Sequence, residues 1–264
     1  MTDTIHIADH AGVRRITLAR PQVHNAFDDT LIVELTSALD EAGKDASVRA
    51  VVLSGEGASF SAGADLNWMR AMAEASEATN RNDSRRLASL MRTLQYLPKP
   101  TIARVNGAAY GGGVGLIACC DIAIGVDSAR FGLTEVKLGL VPAVISPYVI
   151  HAIGLRHARR LFLTGEWFDA ATALQIGLLH QCVTAEQLDS AVDATLKQLS
   201  KAGPLAQSEA KQLALRVAGA DQAVAEQLDE ANAALIARLR VSAEGQEGLA
   251  AFLGKRPPAW CTPD

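Results

Sequence analysis

Phe60-Ser61-Ala62-Gly63-Ala64-Asp65-Leu66 and Asn106-Gly107-Ala108-Ala109-Tyr110-Gly111-Gly112-Gly113 each carry a strand-like run through small residues into a helix-like run. Such a junction leaves backbone N–H groups uncovered at the start of the helix. Two sets of free donors meeting on one oxygen form an oxyanion hole, which points to chemistry on a carbonyl compound. The triplet Gly111 to Gly113 removes every Cβ that would hold another group off the backbone. A phosphate loop is the rival reading, but no Gly-Lys-Ser/Thr follows the triplet and no G-x-G-x-x-G spacing is present. Close helix packing remains an alternative use of the same glycines.

Outward from these junctions the chain alternates strands and helices. Val13 to Leu18 has the period of two of a half-buried strand. A polar segment around Asn25 follows, and Asp28 or Asp29 is placed to cap a helix with Leu31, Ile32, Leu35 and Leu39 on one face. Arg49 to Ser54 is a nearly continuous β-branched run, expected of a strand covered on both faces. Residues 67–97 read as a polar helix with Arg81, Arg85, Arg86 and Arg92 facing solvent, stopped by Pro98-Lys99-Pro100. Strand Thr101 to Val105, the glycine junction, an apolar segment Val114 to Cys120, strand Asp121 to Val126 and the short run Ala129 to Leu133 come next. From residue 146 to about 253 the pattern reads as helices almost throughout. Together these describe an α/β core with a helical C-terminal segment.

Composition narrows the partners. The 264 residues are 49% hydrophobic and 20% charged, as in an ordinary globular protein with a large core. A net charge of −4 carries no basic excess, so nucleic acid is not expected as a partner. No apolar stretch approaches the roughly 20 residues that span a bilayer. The polar start Met1-Thr2-Asp3-Thr4 lacks a signal pattern, so a cytoplasmic protein is expected. Cys119, Cys120, Cys182 and Cys261 form no C-x-x-C pair and read as reduced, mostly buried thiols. No metal site is expected, because the six histidines show no H-x-x-x-H or H-E-x-x-H spacing.

A carbonyl site also needs a group that moves protons. No G-x-S-x-G elbow exists, which disfavours a serine hydrolase of that kind. Glu135, set in the largely apolar Gly132-Leu133-Thr134-Glu135-Val136-Lys137-Leu138-Gly139-Leu140-Val141-Pro142, is the candidate acid and base. Burial there would raise its pKa toward neutrality; its other reading is a surface glutamate paired with Lys137. Asp65 reads as the cap of the helix that follows it.

Taken together, these residues resemble the crotonase superfamily, the enoyl-CoA hydratase/isomerase family. The resemblance runs from Arg20-Pro21-Gln22-Val23-His24-Asn25-Ala26 through both junctions and the Glu135 segment to Phe252-Leu253-Gly254-Lys255-Arg256. It implies a spiral of repeated β-β-α units over residues 1–200. It further implies a C-terminal helical region, 201–264, that builds a homotrimer or a dimer of trimers. The substrate implied is an acyl-CoA thioester, coenzyme A being part of it and no other cofactor needed. Its carbonyl oxygen would rest on the amides of Ala62 and Gly112, with Glu135 as acid and base. Val23, His24, Ala64, Asp65 and Leu66 fall along the family's CoA path, Trp68 falls where the acyl pocket is shaped, and Phe252 and Lys255 match a motif that reaches a neighbouring subunit's CoA site.

The family's hydratases carry a first glutamate two residues after the glycine triplet, where this chain has Gly115. The glycine-rich segment after the family's proline is likewise replaced, by Pro142-Ala143-Val144-Ile145-Ser146-Pro147. These features are similar to bacterial methylglutaconyl-CoA and isohexenylglutaconyl-CoA hydratases of leucine and acyclic terpene breakdown, lyases whose substrates carry a distal carboxylate. Arg70, Arg81 and Lys137 are candidates to receive it. A single-carboxylate enoyl-CoA isomerase and a non-catalytic acyl-CoA-binding homologue are the alternatives.

Overall fold

Two antiparallel strands open the chain in the computed structural model, which describes residues 3–261. Strand β1 (Ile5–His10) turns at Ala11-Gly12, both with positive φ, into β2 (Val13–Leu18), as a tight hairpin requires. Helix α1 (Asp29–Lys44) follows, then β3 (Ala50–Gly55) and β4 (Ser59–Ser61), α2 (Leu66–Glu74) and α3 (Glu77–Gln95). The next turn of chain is β5 (Thr101–Val105), β6 (Ala108–Tyr110) and α4 (Gly112–Cys119). A third is β7 (Ile122–Val126), β8 (Arg130–Gly132), a short 3-10 turn at Glu135–Leu138 and α5 (Ser146–Thr164), which Gly154 interrupts at φ 76°. Strand β9 (Trp167–Asp169), α6 (Ala170–Gln175), β10 (Gln181–Val183) and helices α7 (Leu188–Leu199), α8 (Pro204–Val217), α9 (Gln222–Arg240) and α10 (Ala243–Leu253) complete it.

Each β-β-α turn sends its first strand to a large sheet, ordered β1-β2-β3-β5-β7-β10, and its second to a small one, ordered β4-β6-β8-β9. Neighbours from β2 to β10 in the large sheet, and β4, β6 and β8 in the small one, run parallel. The fold is thus the α/β core that the alternation of strand pairs and helices implied, wound into the spiral of β-β-α units that the family resemblance implied. All of β3 is buried, as its unbroken apolar run requires. Helix α1 buries Leu31, Ile32, Leu35 and Leu39, and of the two candidate caps Asp28 accepts the Leu31 N–H at 2.8 Å.

Three readings of the sequence are corrected. The polar helix over 67–97 is two helices, because the chain turns extended at Ala75-Ser76 and Ser76 accepts the Thr79 N–H to start α3. The C-terminal third is helical almost throughout, but it also holds two short strands absent from the sequence reading: β9 pairs with β8 and β10 with β7, covering one edge of each sheet. The arginines of α3 do not simply face water. Arg81 and Arg85 pair with Glu230 and Arg92 with Asp229, both on α9, while Arg86 pairs with Asp29 of α1. Among the described residues no helix is long and apolar enough to cross a membrane. All four cysteines are free, Cys119 and Cys120 buried, Cys182 partly so and Cys261 exposed.

One buried side chain fixes the loop beneath the site. Asn25, fully buried with φ 56°, accepts the Arg20 N–H at 3.0 Å and donates to the carbonyls of Glu56 (2.9 Å) and Ser59 (2.8 Å). Its own carbonyl accepts the Ser61 hydroxyl at 2.9 Å, tying the loop to β4. Asn25→Ala removes these side-chain bonds and leaves buried polar groups unpaired, for an expected loss of about 3 kcal/mol in urea denaturation.

Candidate active site

The ends of β4, β6 and β8, three adjacent parallel strands, open onto one cavity of ≈ 520 Å³. Ala62, Gly63 and Ala64 come from the first junction, Gly111 and Gly112 from the second, and Thr134 and Glu135 from just beyond β8. Backbones of the first two junctions touch directly: a Cβ on Gly113 would stand 2.5 Å from the Ser61 carbonyl oxygen. Phe27 packs against Gly112, where a Cβ would come within 2.8 Å of ring atom Cδ2.

The donors differ from the expected pair in one member. The Ala62 N–H, read from sequence as an oxyanion donor, is already engaged: it donates to the His24 carbonyl at 2.9 Å. The next residue, Gly63, takes φ +80°, and a parallel bridge joins Phe27 to Ala64. Its bonds run from Phe27 N–H to the Gly63 carbonyl (2.6 Å) and from Asp65 N–H to the Phe27 carbonyl (2.9 Å). The Ala64 N–H lies between them, makes neither bond, and belongs to an exposed residue on the cavity wall. At the second junction the Gly111 N–H donates to Gly132 at 2.9 Å, so Gly112, first residue of α4, supplies the first free donor there. Gly111 adopts φ 48°, ψ −116°, a conformation that suits glycine.

Glu135 sits opposite. A Cβ on Gly111 would lie 3.0 Å from its Oε1. The residue as a whole keeps some exposure, but Oε2 is enclosed and has no hydrogen-bond partner among the described residues. Burial pushes the carboxyl up to about 7, opposed in part by a backbone hydrogen bond. Its surface reading, a pair with Lys137, is not what the structure contains, since Lys137 forms no ion pair with it.

The place of the family's first glutamate is filled. A Cβ on Gly115 would overlap Cγ2 of Ile145 and stand 2.9 Å from its Cβ, with Met91 Cε at 3.3 Å. Ile145 is 3% exposed and lines the cavity, so an apolar side chain occupies what a second carboxylate would need.

Of the remaining residues read from sequence, Trp68 and Phe252 line the cavity, and the other lining groups on that side include Met69, Met72, Leu87 and Ile236. Asp65 is withdrawn from it. Its carboxylate caps α2 through the N–H groups of Asn67 (2.8 Å) and Trp68 (3.3 Å) and pairs with Arg20 at 3.0 Å, leaving nothing to offer a ligand. Val23, His24, Leu66 and Lys255 also lie off the cavity wall; His24 adjoins it through its carbonyl bond to Ala62, and its ring meets Ser59 Oγ at 3.0 Å. At the C-terminal motif it is Arg256, held by Glu247 at 2.7 Å, that lines the cavity rather than Lys255. Among the three basic candidates for a distal carboxylate, Lys137 lines the cavity, whereas Arg70 bonds Asn67 at 2.9 Å and Arg81 is paired with Glu230. Arg240 lines it too and carried no signal in the sequence, its partners Asn80 and Asp83 lying 160 and 157 residues away.

Comparisons with known proteins agree with this geometry. The family described as enoyl-CoA hydratase/isomerase matches residues 8–263. The 2,3-dehydroadipyl-CoA hydratase of Escherichia coli K12 is 37% identical over 246 residues, 92% of each chain. The crystal structure of an enoyl-CoA hydratase from Shewanella pealeana superposes with a TM-score of 0.79 at 44% identity, covering 97% of this chain and 96% of that one. Pseudomonas aeruginosa AtuE gives a TM-score of 0.78 at 40% identity, covering 98% and 100%. The chain belongs to the enoyl-CoA hydratase/isomerase family, the crotonase superfamily, and is an enzyme of the hydro-lyase type.

The Gly115–Ile145 fit can be tested by itself. Gly115→Ala is expected to cost about 1–3 kcal/mol of stability through overpacking. In an Ile145→Ala background the same change costs far less, so a double-mutant cycle by denaturation reads a coupling of about 1 kcal/mol or more.

Proposed function

We propose that this enzyme adds water to an α,β-unsaturated acyl-CoA whose acyl group ends in a carboxylate, of the 3-methylglutaconyl-CoA kind. The observation that carries the reading is one cavity holding two free amides, Ala64 and Gly112, and one carboxyl with an unpartnered oxygen, Glu135. A dicarboxylic acyl group also appears in the name of the Escherichia coli relative, although that protein's substrate is a different one.

In the reaction, ionised Glu135 takes a proton from water as the oxygen attacks the β carbon. The π electrons shift toward the thioester, and negative charge collects on its oxygen. Ala64 and Gly112 N–H hold that oxygen, each worth about 3 kcal/mol in the transition state. Protonated Glu135 then returns the proton to the α carbon, so water has been added and the enzyme is regenerated. A carboxyl near pKa 7 suits both halves, because it is neither too weak a base nor too weak an acid. With Ile145 in the second carboxylate's place, one group does both steps.

The CoA moiety is taken along Val23, His24, Ala64 and Leu66, the segment of Phe252 and Lys255 reaches a neighbouring subunit's CoA, and no cofactor is needed beyond it. A homotrimer or dimer of trimers completes the reading. The exposed Leu205, Leu213 and Val217 of α8 supply an apolar face that supports it.

A panel of enoyl-CoA esters including 3-methylglutaconyl-CoA, with product masses, tests the reaction. Gain of one water with loss of the enoyl absorbance is the expected result. A new enoyl band from a 3-enoyl ester without any mass gain would instead make the enzyme an isomerase. Glu135→Gln is expected to lower kcat about 10²- to 10⁴-fold. Because the base must be ionised, wild-type kcat/KM should rise with pH through about 7. The folded-state pKa lies above the ordinary 4.5, so this carboxyl's contribution to stability is present at low pH and lost as pH rises toward 7. Glu135→Gln should therefore melt above wild type at pH 8, an advantage that vanishes below pH 4.5. Replacing the Ala64 amide by an ester, which deletes the N–H, should cost about 10²- to 10³-fold in kcat.

A further inference from the structure

Arg240, the last residue of α9, lines the same cavity as Glu135 with its side chain 12% exposed. Its Nη1 donates to Asn80 Oδ1 at 3.1 Å and to Asp83 Oδ2 at 3.2 Å. The guanidinium carbon stands 5.4 Å from the centroid of the Trp68 ring, a cation held over an aromatic face. Among the described residues nothing accepts from Nε or Nη2, and neither atom is fully enclosed. The fork that matches a carboxylate with two parallel N–H bonds is therefore open on one edge.

The surroundings make that edge a place for an anion. Met69, Met72, Leu87, Ile236 and Leu249 give the wall here little polarity. Asp83 is the acidic neighbour of the guanidinium; burial pushes its carboxyl up to about 6 despite Arg240 beside it, and burial also draws Arg240 down. Asp29 is the other charge that acts on Asp83.

We infer that Arg240 sets the acyl specificity of this enzyme: its Nε–Nη2 edge, held over the Trp68 ring, receives the carboxylate at the far end of the acyl chain. The assignment rests on the reading of the cavity as an acyl-CoA site, and it supplies the residue for a distal carboxylate that Arg70 and Arg81, turned to other partners, do not. Bracing α9 against α3 through Nη1 is a separate job done by the other end of the same group.

Binding of saturated thioesters, which cannot react, tests this directly. Calorimetry would compare glutaryl-CoA with pentanoyl-CoA and adipyl-CoA with hexanoyl-CoA, pairs that differ only in a terminal carboxylate or methyl. At one length or both, wild type is expected to favour the carboxylate about 10- to 100-fold, the range of a charge-assisted hydrogen-bond pair. Arg240→Met should bring that ratio within about threefold of unity, and Arg240→Lys, which keeps charge but not the fork, should fall between. A ratio taken on one preparation does not depend on the fraction folded. Equal affinities in wild type at both lengths, or a preference that survives Arg240→Met, would overturn the assignment. Hydration of crotonyl-CoA, a neutral ester, reports on the reaction separately. A wild type that hydrates it without preferring the acidic thioesters removes Arg240's role alone. One that prefers them but hydrates no enoyl ester keeps the carboxylate site and removes the hydration.

Discussion

Direct backbone contact between the two strand-to-helix junctions is the constraint on which the rest depends. Strands β4 and β6 pair in parallel, and beyond them Gly113 lies so near Ser61 that no Cβ fits between. Donors on separate chain segments can converge on one ligand oxygen only when no side chain intervenes. The third component follows from the same sheet. Strand β8 pairs with β6 on its other side, and the Gly132 carbonyl accepts the Gly111 N–H, which fixes Glu135 three residues later against the glycine turn. Ala64, Gly112 and Glu135 thus follow the C-terminal ends of three adjacent parallel strands. Open α/β sheets bind ligands at those ends because successive loops gather there. The spiral connection makes it possible, each turn delivering one strand to the large sheet for stability and one to the small sheet for the site.

Gly115 and Ile145 turn two departures from the family pattern into one packing event. Read separately, a missing glutamate and a replaced glycine-rich segment are unrelated losses. In the fold they touch: the side chain gained at 145 fills the volume vacated at 115. The consequence is electrostatic as well as steric. Two carboxyls sharing a site raise one another's pKa by repulsion, whereas Glu135 has no acidic neighbour and owes its upward shift to burial. A lone carboxyl with a displaced pKa costs stability at neutral pH, and here that cost falls on the group we propose as the proton carrier.

What the sequence made legible was whatever local pattern decides. The unbroken apolar run of β3, the one-sided face of α1, the cap at Asp65 and the glycine triplet each settle their own conformation, and Glu135 was visible as an acid in apolar surroundings. Tertiary choices were not. Ala62 and Ala64 are the same residue type two positions apart, and which N–H is free depends on the bridge to Phe27 and on Gly63 reversing the chain. Strands β9 and β10 have three residues each, too short for a period, and form because sheet edges are there to receive them. Arg81, Arg85 and Arg92 of α3 looked solvated since their acidic partners lie more than a hundred residues away on α9, and the partner of Arg86 lies on α1. Arg240 was hidden for the same reason.

The seam between α3 and α9 makes the roof of the cavity, and its charges do not all serve one end. Exposed pairs such as Arg85 with Glu230 contribute little, since solvent screens them and long side chains lose freedom. Apolar contact does more, with Ala233, Ile236 and Ala237 buried on the inner face of α9. Arg240 with Asp83 differs because both are largely withdrawn from water, with side chains 12% and 5% exposed. Desolvation of such a pair offsets most of its attraction, so apolar residues of similar volume would hold the two helices at least as well. Helix bracing therefore gives a weak account of a guanidinium at this position. An open edge on the cavity of Glu135 gives a stronger one, because a cation already fixed by Asn80 and Asp83 and held over Trp68 binds an incoming carboxylate without first losing side-chain freedom.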